Sequence, residues 1–120
     1  MTLTCLIPNI FYEDASIGLY LFRDVLRFEV VYEDTDSENP WYILTKDSLK
    51  VHLHQNAEFA RKDRPEIRIA TDDIDSLYDD IKAHHPNILH PNGNVIKDQP
   101  WGLREFGLRD ASDVCIIIQQ

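Results

Sequence analysis

Apolar residues recur along this chain with two spacings, one suited to helices lying on a sheet and one to short strands. After Asp14, a candidate N-cap, Leu19, Phe22 and Leu26 stand at i, i+3 and i+7, and Ile17, Leu21 and Val25 widen the stripe. A second helix is predicted from Asp72 or Asp73, with Ile74, Leu77, Tyr78 and Ile81 on one face. It stops before Pro86, which cannot continue a helix and restricts the residue ahead of it. Strands are predicted over residues 3–11, 28–32, 41–45, 49–54, 67–71, 103–108 and 114–118, with Ile88 and Leu89 in a short, poorly formed one. In the fourth of these, Leu49, Val51 and Leu53 take one face, leaving His52 and His54 together on the other. Turn chemistry fills residues 34–39 and Pro91-Asn92-Gly93-Asn94.

The resulting order, β-α-β-β-β, occurs twice. The caps Asp14 and Asp73 lie 59 positions apart, the dipeptides Pro40-Trp41 and Pro100-Trp101 60, and the last strands 65, the extra residues falling around Asp110. A nearly constant offset across separate landmarks marks an internal duplication. We therefore expect an α+β fold of two βαβββ modules forming a curved, cup-like mixed sheet. Module one covers about residues 1–55, a polar linker about 56–65, and module two about 66–120. Each module has one helix for one sheet face. The other face is left to curl around a partner unit or a ligand, and troughs of this kind bind small molecules.

Hydrophobic residues make up 43% of the chain and charged residues 28%, the balance of a globular protein. Twelve Lys and Arg against 21 Asp and Glu give a net charge of −9, which argues against nucleic acid and against anionic membranes as partners. No apolar run approaches the ~20 residues of a membrane span, and no secretory signal is visible, so a cytoplasmic location is expected. Cys5 and Cys115, each among apolar neighbours, read as buried reduced thiols. Only four glycines leave no phosphate loop, and none of Ser16, Ser37, Ser48, Ser76 and Ser112 has a nucleophile-elbow context.

Two segments carry a resemblance. Ile7-Pro8-Asn9-Ile10-Phe11-Tyr12-Glu13-Asp14 runs into a helix ending Phe22-Arg23-Asp24-Val25-Leu26-Arg27-Phe28, and Trp101-Gly102-Leu103-Arg104-Glu105-Phe106-Gly107-Leu108-Arg109-Asp110 runs into the final apolar strand. In order, spacing and duplication the chain resembles the vicinal oxygen chelate superfamily of glyoxalases, extradiol dioxygenases and bleomycin-resistance proteins. The resemblance implies that an enzyme of this group would hold a divalent metal at positions 7, 52, 66 and 117, which here are Ile7, His52, Glu66 and Ile117. Isoleucine has no donor atom, and a catalytic metal wants about three protein ligands. The bleomycin-resistance branch, similar in its Pro-Asn and Trp-Gly pairs, lacks the metal and binds a bulky cationic drug between the halves of a homodimer. One departure is that its usual Asp-Pro-Asp-Gly turn is Asp110-Ala111-Ser112-Asp113 here.

The expected function is therefore metal-free binding of a bulky or cationic organic ligand, without a cofactor and without catalytic residues, in a homodimer whose cup lies between modules. Its lining would be Trp41, His52, His54, Glu66, Arg68 and Trp101, with Asn9, Phe11 and Phe106 as weaker candidates. Trp41 and Trp101 are read as matching places in the two units, where aromatic faces stack on planar or cationic ligands. The alternative is a glyoxalase-like lyase or dioxygenase holding a divalent metal on His52, Glu66 and a third ligand. A third reading is an interaction domain that kept the fold and lost its ligand. His84, His85 and His90 are read as surface residues.

Overall fold

The computed structural model describes residues 2–120 and divides into two compact units, one ending at Asp63 and one running from Arg64 to Gln120. Each is a βαβββ module with a four-stranded mixed sheet. In module one, β1 (Asn9–Tyr12) leads into α1 (Ala15–Leu19), followed by β2 (Glu29–Asp34), β3 (Trp41–Lys46) and β4 (Leu49–Gln55), in the sheet order β1-β4-β3-β2. A short helix, α2 (Ala57–Lys62), occupies the segment expected to be a linker. Asn56 caps it, accepting from the Phe59 N–H. In module two, β5 (Glu66–Ala70) precedes α3 (Ile74–His84), then β6 (Lys97–Asp98), β7 (Arg104–Arg109) and β8 (Cys115–Gln119), in the order β5-β8-β7-β6. In both sheets the first strand pairs parallel to the last and the others run antiparallel.

Both helices start where the sequence placed their caps. Asp14 accepts from the Ser16 N–H and Asp73 from the Ser76 N–H. A further orphan donor at each start is taken by the glutamine at the end of the same module's sheet region. Gln55 Oε1 accepts from Ala15 N at 3.0 Å, and Gln120 Oε1 from Ile74 N at 2.8 Å. The same tie between sheet and helix recurs in both modules, so Gln55→Ala and Gln120→Ala should each lower stability by about 0.5–1.5 kcal/mol. Urea unfolding midpoints check this; a midpoint that does not move would show these bonds to be replaced by water at no cost.

Helix one does not stay α. From Tyr20 to Val25 it widens to π spacing, with the Leu26 N–H reaching Leu21 O at 3.0 Å, and it ends at Arg27 with φ 62°. The wider turn places Leu21, Phe22, Val25 and Leu26 against the sheet together, and Phe22 meets Phe28 edge-on with centroids 5.5 Å apart. Gly18 is required by close approach, because a Cβ there would overlap the ring of Tyr12. The module one core is completed by Ile10, Tyr12, Leu44, Val51 and Leu53; module two buries Ile74, Tyr78, Ile81, Ile88, Phe106, Leu108, Ile116 and Ile118.

Three expectations are corrected. The first strand begins at Asn9 and not near residue 3; the preceding segment lies outside the sheet, with Leu3 91% and Leu6 94% exposed. Cys5, in that segment, is accordingly exposed, while Cys115 is half-buried; both thiols are free. Residues Pro86–Ile88 form a 3-10 turn rather than a strand, and Leu89 makes only an isolated bridge to Leu108. The pairing strand on that side is instead the two-residue β6, whose Lys97 and Asp98 carry no apolar signal.

Candidate functional site

On each sheet the helix covers one face, and the residues that alternate with the core define the other. In module one that second face is aromatic. Asn9 and Phe11 of β1, His52 and His54 of β4, and Trp41 and Ile43 of β3 are paired across the ladders, His52 with Asn9 and Ile43, His54 with Phe11 and Trp41. A register shift between Val30 and Tyr32 brings Tyr32 opposite Ile43 and onto the same face. The rings then form a continuous set. Trp41 stacks on His54 with centroids 4.9 Å apart and planes 6° from parallel; Tyr32 lies 5.0 Å from Trp41 and His52 5.8 Å. Phe11 lies 5.8 Å from His54 and 5.1 Å from Phe59 of α2. Trp41, His52, His54 and Phe11 are half-exposed, while Tyr32 and Phe59 are exposed.

Burial, and secondarily the neighbouring His52, push the His54 pKa below its ordinary 6.5. His54 is therefore neutral at pH 7, and its ring stacks on Trp41 as a flat, uncharged surface. The folded form binds this proton less readily than the unfolded chain, so stability rises with pH across the interval between the two pKa values. The contribution is complete above about 6.5 and is lost as pH falls through the depressed folded value. Unfolding midpoints at pH 7.5 and 5.5 should therefore differ more in the native protein than in His54→Gln. Equal differences would contradict the assignment.

The equivalent face of module two is polar and hollowed. A cavity of about 430 Å³ is lined by Glu66, Glu105, Cys115, Ile117 and the loop from His90 to Val95, among others. Its wall depends on Gly107, whose N–H donates to Gly93 O and whose carbonyl accepts from the His90 N–H, both at 2.8 Å. A Cβ on Gly107 would stand 3.0 Å from that of His90, so glycine is what lets the loop lie on the strand. Glu105 is only 7% exposed and is held by Arg68 Nη1 at 2.8 Å and by the Trp101 indole N–H at 3.3 Å. Burial first, and then Glu66, push the Cys115 thiol upward, so it stays protonated and is a poor nucleophile.

Of the candidates read from sequence, Trp41, His52 and His54 are brought together in module one, with Phe11 and Asn9 on the same face. Arg68 and Trp101 converge on Glu105 in module two, and Glu66 faces the same cavity. Phe106 belongs to the core, edge-on to Tyr78 at 5.1 Å. His90, read as a surface residue, is half-buried and lines the cavity, whereas His84 is exposed.

The matching of the two tryptophans is overturned by the strand registers. His52 and Ile117 correspond, because each pairs across a parallel ladder with corresponding first-strand residues, Asn9 and Arg68. Two positions on, Trp41 pairs with His54 as Glu105 pairs with Gln119. The counterpart of Trp41 is therefore Glu105, and Trp101 lies in the turn before β7, 61% exposed, reaching back to that carboxylate. Glu105 was the residue missed, and counting back from the last strand of each module would have found it.

Two of the four positions at which the resemblance implies a metal do not fit one: Ile7 and Ile117 offer no donor atom, and no three His, Cys, Asp or Glu side chains are grouped to hold a metal ion among the described residues.

No protein-family model matches the chain, and no curated protein matches it in sequence. Solved structures do match. A bleomycin-binding protein complexed with bleomycin is similar over 97% of this chain and 97% of its own, at 19% identity and a TM-score of 0.72. The bleomycin-binding protein of bleomycin-producing Streptomyces verticillus, complexed with copper(II)-bleomycin, is similar over 98% of this chain and 96% of its own, at 18% identity and 0.73. A genomically encoded fosfomycin resistance protein from Listeria monocytogenes covers 99% of this chain and 91% of its own, at 13% identity and 0.70. Two duplicated βαβββ modules and near-complete structural coverage together give this chain the fold of the bleomycin-binding and fosfomycin-resistance proteins.

Proposed function

We propose that this chain is a cytoplasmic binding protein that sequesters a planar or bulky cationic organic molecule, without a metal and without chemistry. The observation that carries the reading is the aromatic face of module one, where Trp41, His52, His54, Phe11 and Tyr32 are held half-open instead of being packed away. Rings left accessible forgo part of the burial that would stabilise the fold, and they offer a ligand large contact area at low entropic cost. With His54 neutral, that ring adds no positive charge to repel a cation, and a chain of net charge −9 favours one. The bleomycin-binding proteins of the same fold supply a precedent for such cargo. The chain acts in this reading as a homodimer, with a solution mass twice the 14.0 kDa of one copy.

Thermal-shift measurements with bleomycin, ethidium and 1-naphthol test the proposal, because a ligand that binds only the folded state raises the midpoint by mass action. At least one of the three should raise the midpoint in the native protein and fail to do so in a Trp41→Ala, His54→Ala variant. No rise with any of them, or an undiminished rise in the variant, would remove the basis of the reading.

A further inference from the structure

We propose that the cavity of module two is a recognition site for an organic cation bearing N–H donors, an amidinium, guanidinium or primary ammonium group, with Glu105 Oε2 as its acceptor. The inference deepens the reading of the chain as a binding protein but rests on a different face. Glu105 is more than nine-tenths buried, and burying a carboxylate is costly unless its oxygens are bonded. The structure meets that need on one oxygen only. Arg68 Nη1 and the Trp101 indole N–H both donate to Oε1, and Oε2 takes no donor among the described residues. It is not a sealed, orphaned atom either, since Glu105 lines the 430 Å³ cavity and no fully buried side-chain oxygen lacks a partner among the described residues. A buried carboxylate that lines a hollow and has both its donors on one oxygen keeps the other as an acceptor.

The surroundings select what it accepts. Glu66 adds a second carboxylate to the cavity lining, so an anion would meet like charge. Lys97, the one Lys or Arg among the lining residues, and Glu66 both lie exposed on edge strands and are screened by solvent alike, so the buried Glu105 carboxylate is what sets the preference. An apolar molecule would strip water from Oε2 and return nothing for it. A cation with N–H groups satisfies that oxygen with charge-assisted hydrogen bonds, and the Trp101 indole N–H, bonded to the same carboxylate, reports on its arrival. The register equivalence sharpens the point: the position that carries an indole in module one carries this carboxylate in module two, so the duplicated unit presents a ring on one face and an acceptor on the other.

Benzamidine, benzamide and benzoate share one ring and one outline and differ in charge, so they isolate this chemistry. Titrated into the full ¹⁵N-labelled chain, benzamidine should bind about tenfold more tightly than benzoate, with benzamide between them, and should shift the indole N–H resonance of Trp101. Trp41→Phe identifies that resonance by elimination. Glu105→Gln should abolish the tenfold preference. Should that variant fail to fold, Glu66→Gln leaves the Arg68–Glu105 pair intact; it should weaken benzamidine about two- to threefold while the Trp101 response persists. Equal binding of benzoate, or benzamidine perturbing only Trp41, would overturn the proposal. Failure here alongside ethidium binding at Trp41 would sink this inference and spare the proposed function; the reverse pattern would do the opposite.

Discussion

Phe106→Ala is expected to destabilise the protein by about 3–5 kcal/mol, a large share of the roughly 5–15 kcal/mol that holds a typical domain together. Phe106 is 2% exposed, sits opposite Ile118 on the helix side of β7, and packs edge-on to Tyr78 of α3. Removing its ring takes away the transfer energy of the side chain and the aromatic pair, and leaves a hole between strand and helix that neighbours already in contact can close only in part. Phe11→Ala provides the contrast. Its ring is half-exposed on the other face of module one, against His54 and Phe59, so its loss should cost less than half as much. Urea unfolding of both variants decides the matter. Equal losses would mean that the aromatic face is ordinary core, and that its openness serves nothing.

Trp41→Ala should have the larger effect on binding. Trp41 touches Tyr32, His52 and His54, so its removal deletes one stacking surface and the support that keeps His54 flat. A desolvated stacking contact contributes about 0.5–2 kcal/mol, and losing it together with the support should weaken ethidium about tenfold or more. Stability should change far less than in Phe106→Ala, because Trp41 is not a core residue. Isothermal titration against the native protein, with the unfolding midpoint as control, measures both. An unchanged affinity would place the ligand elsewhere.

Much of this architecture was legible because it follows from local chemistry. Asp14 and Asp73 cap helices where carboxylates precede an apolar stripe, and the alternation through β4 puts His52 and His54 opposite Val51 and Leu53. What could not be read depends on hydrogen bonds between distant strands. The aromatic face includes Tyr32 only because of the irregularity beside Val31, which no alternation pattern announces. The Pro-Trp dipeptides suggested that Trp41 and Trp101 match, but the ladders pair Trp41 with the place of Glu105, since the insertion between modules falls before β7 as well as after it. Residues 3–8 read as the start of a strand by composition and lie outside the sheet, because an apolar sequence specifies a strand only where a partner edge exists to pair with it. β6 escaped notice for the opposite reason, as two charged residues paired with a strand that supplies the order.

The module one face is the claim on which the functional account turns, and its resonances report on it directly. On titrating ethidium into the labelled chain, the Trp41 indole and the His52 and His54 ring signals should move together along one saturating curve, while those of the buried Tyr12, Leu44 and Leu53 on the opposite side of the same sheet stay still. Shifts centred on the core side, or none at Trp41 and the two histidines when ethidium saturates, would contradict it.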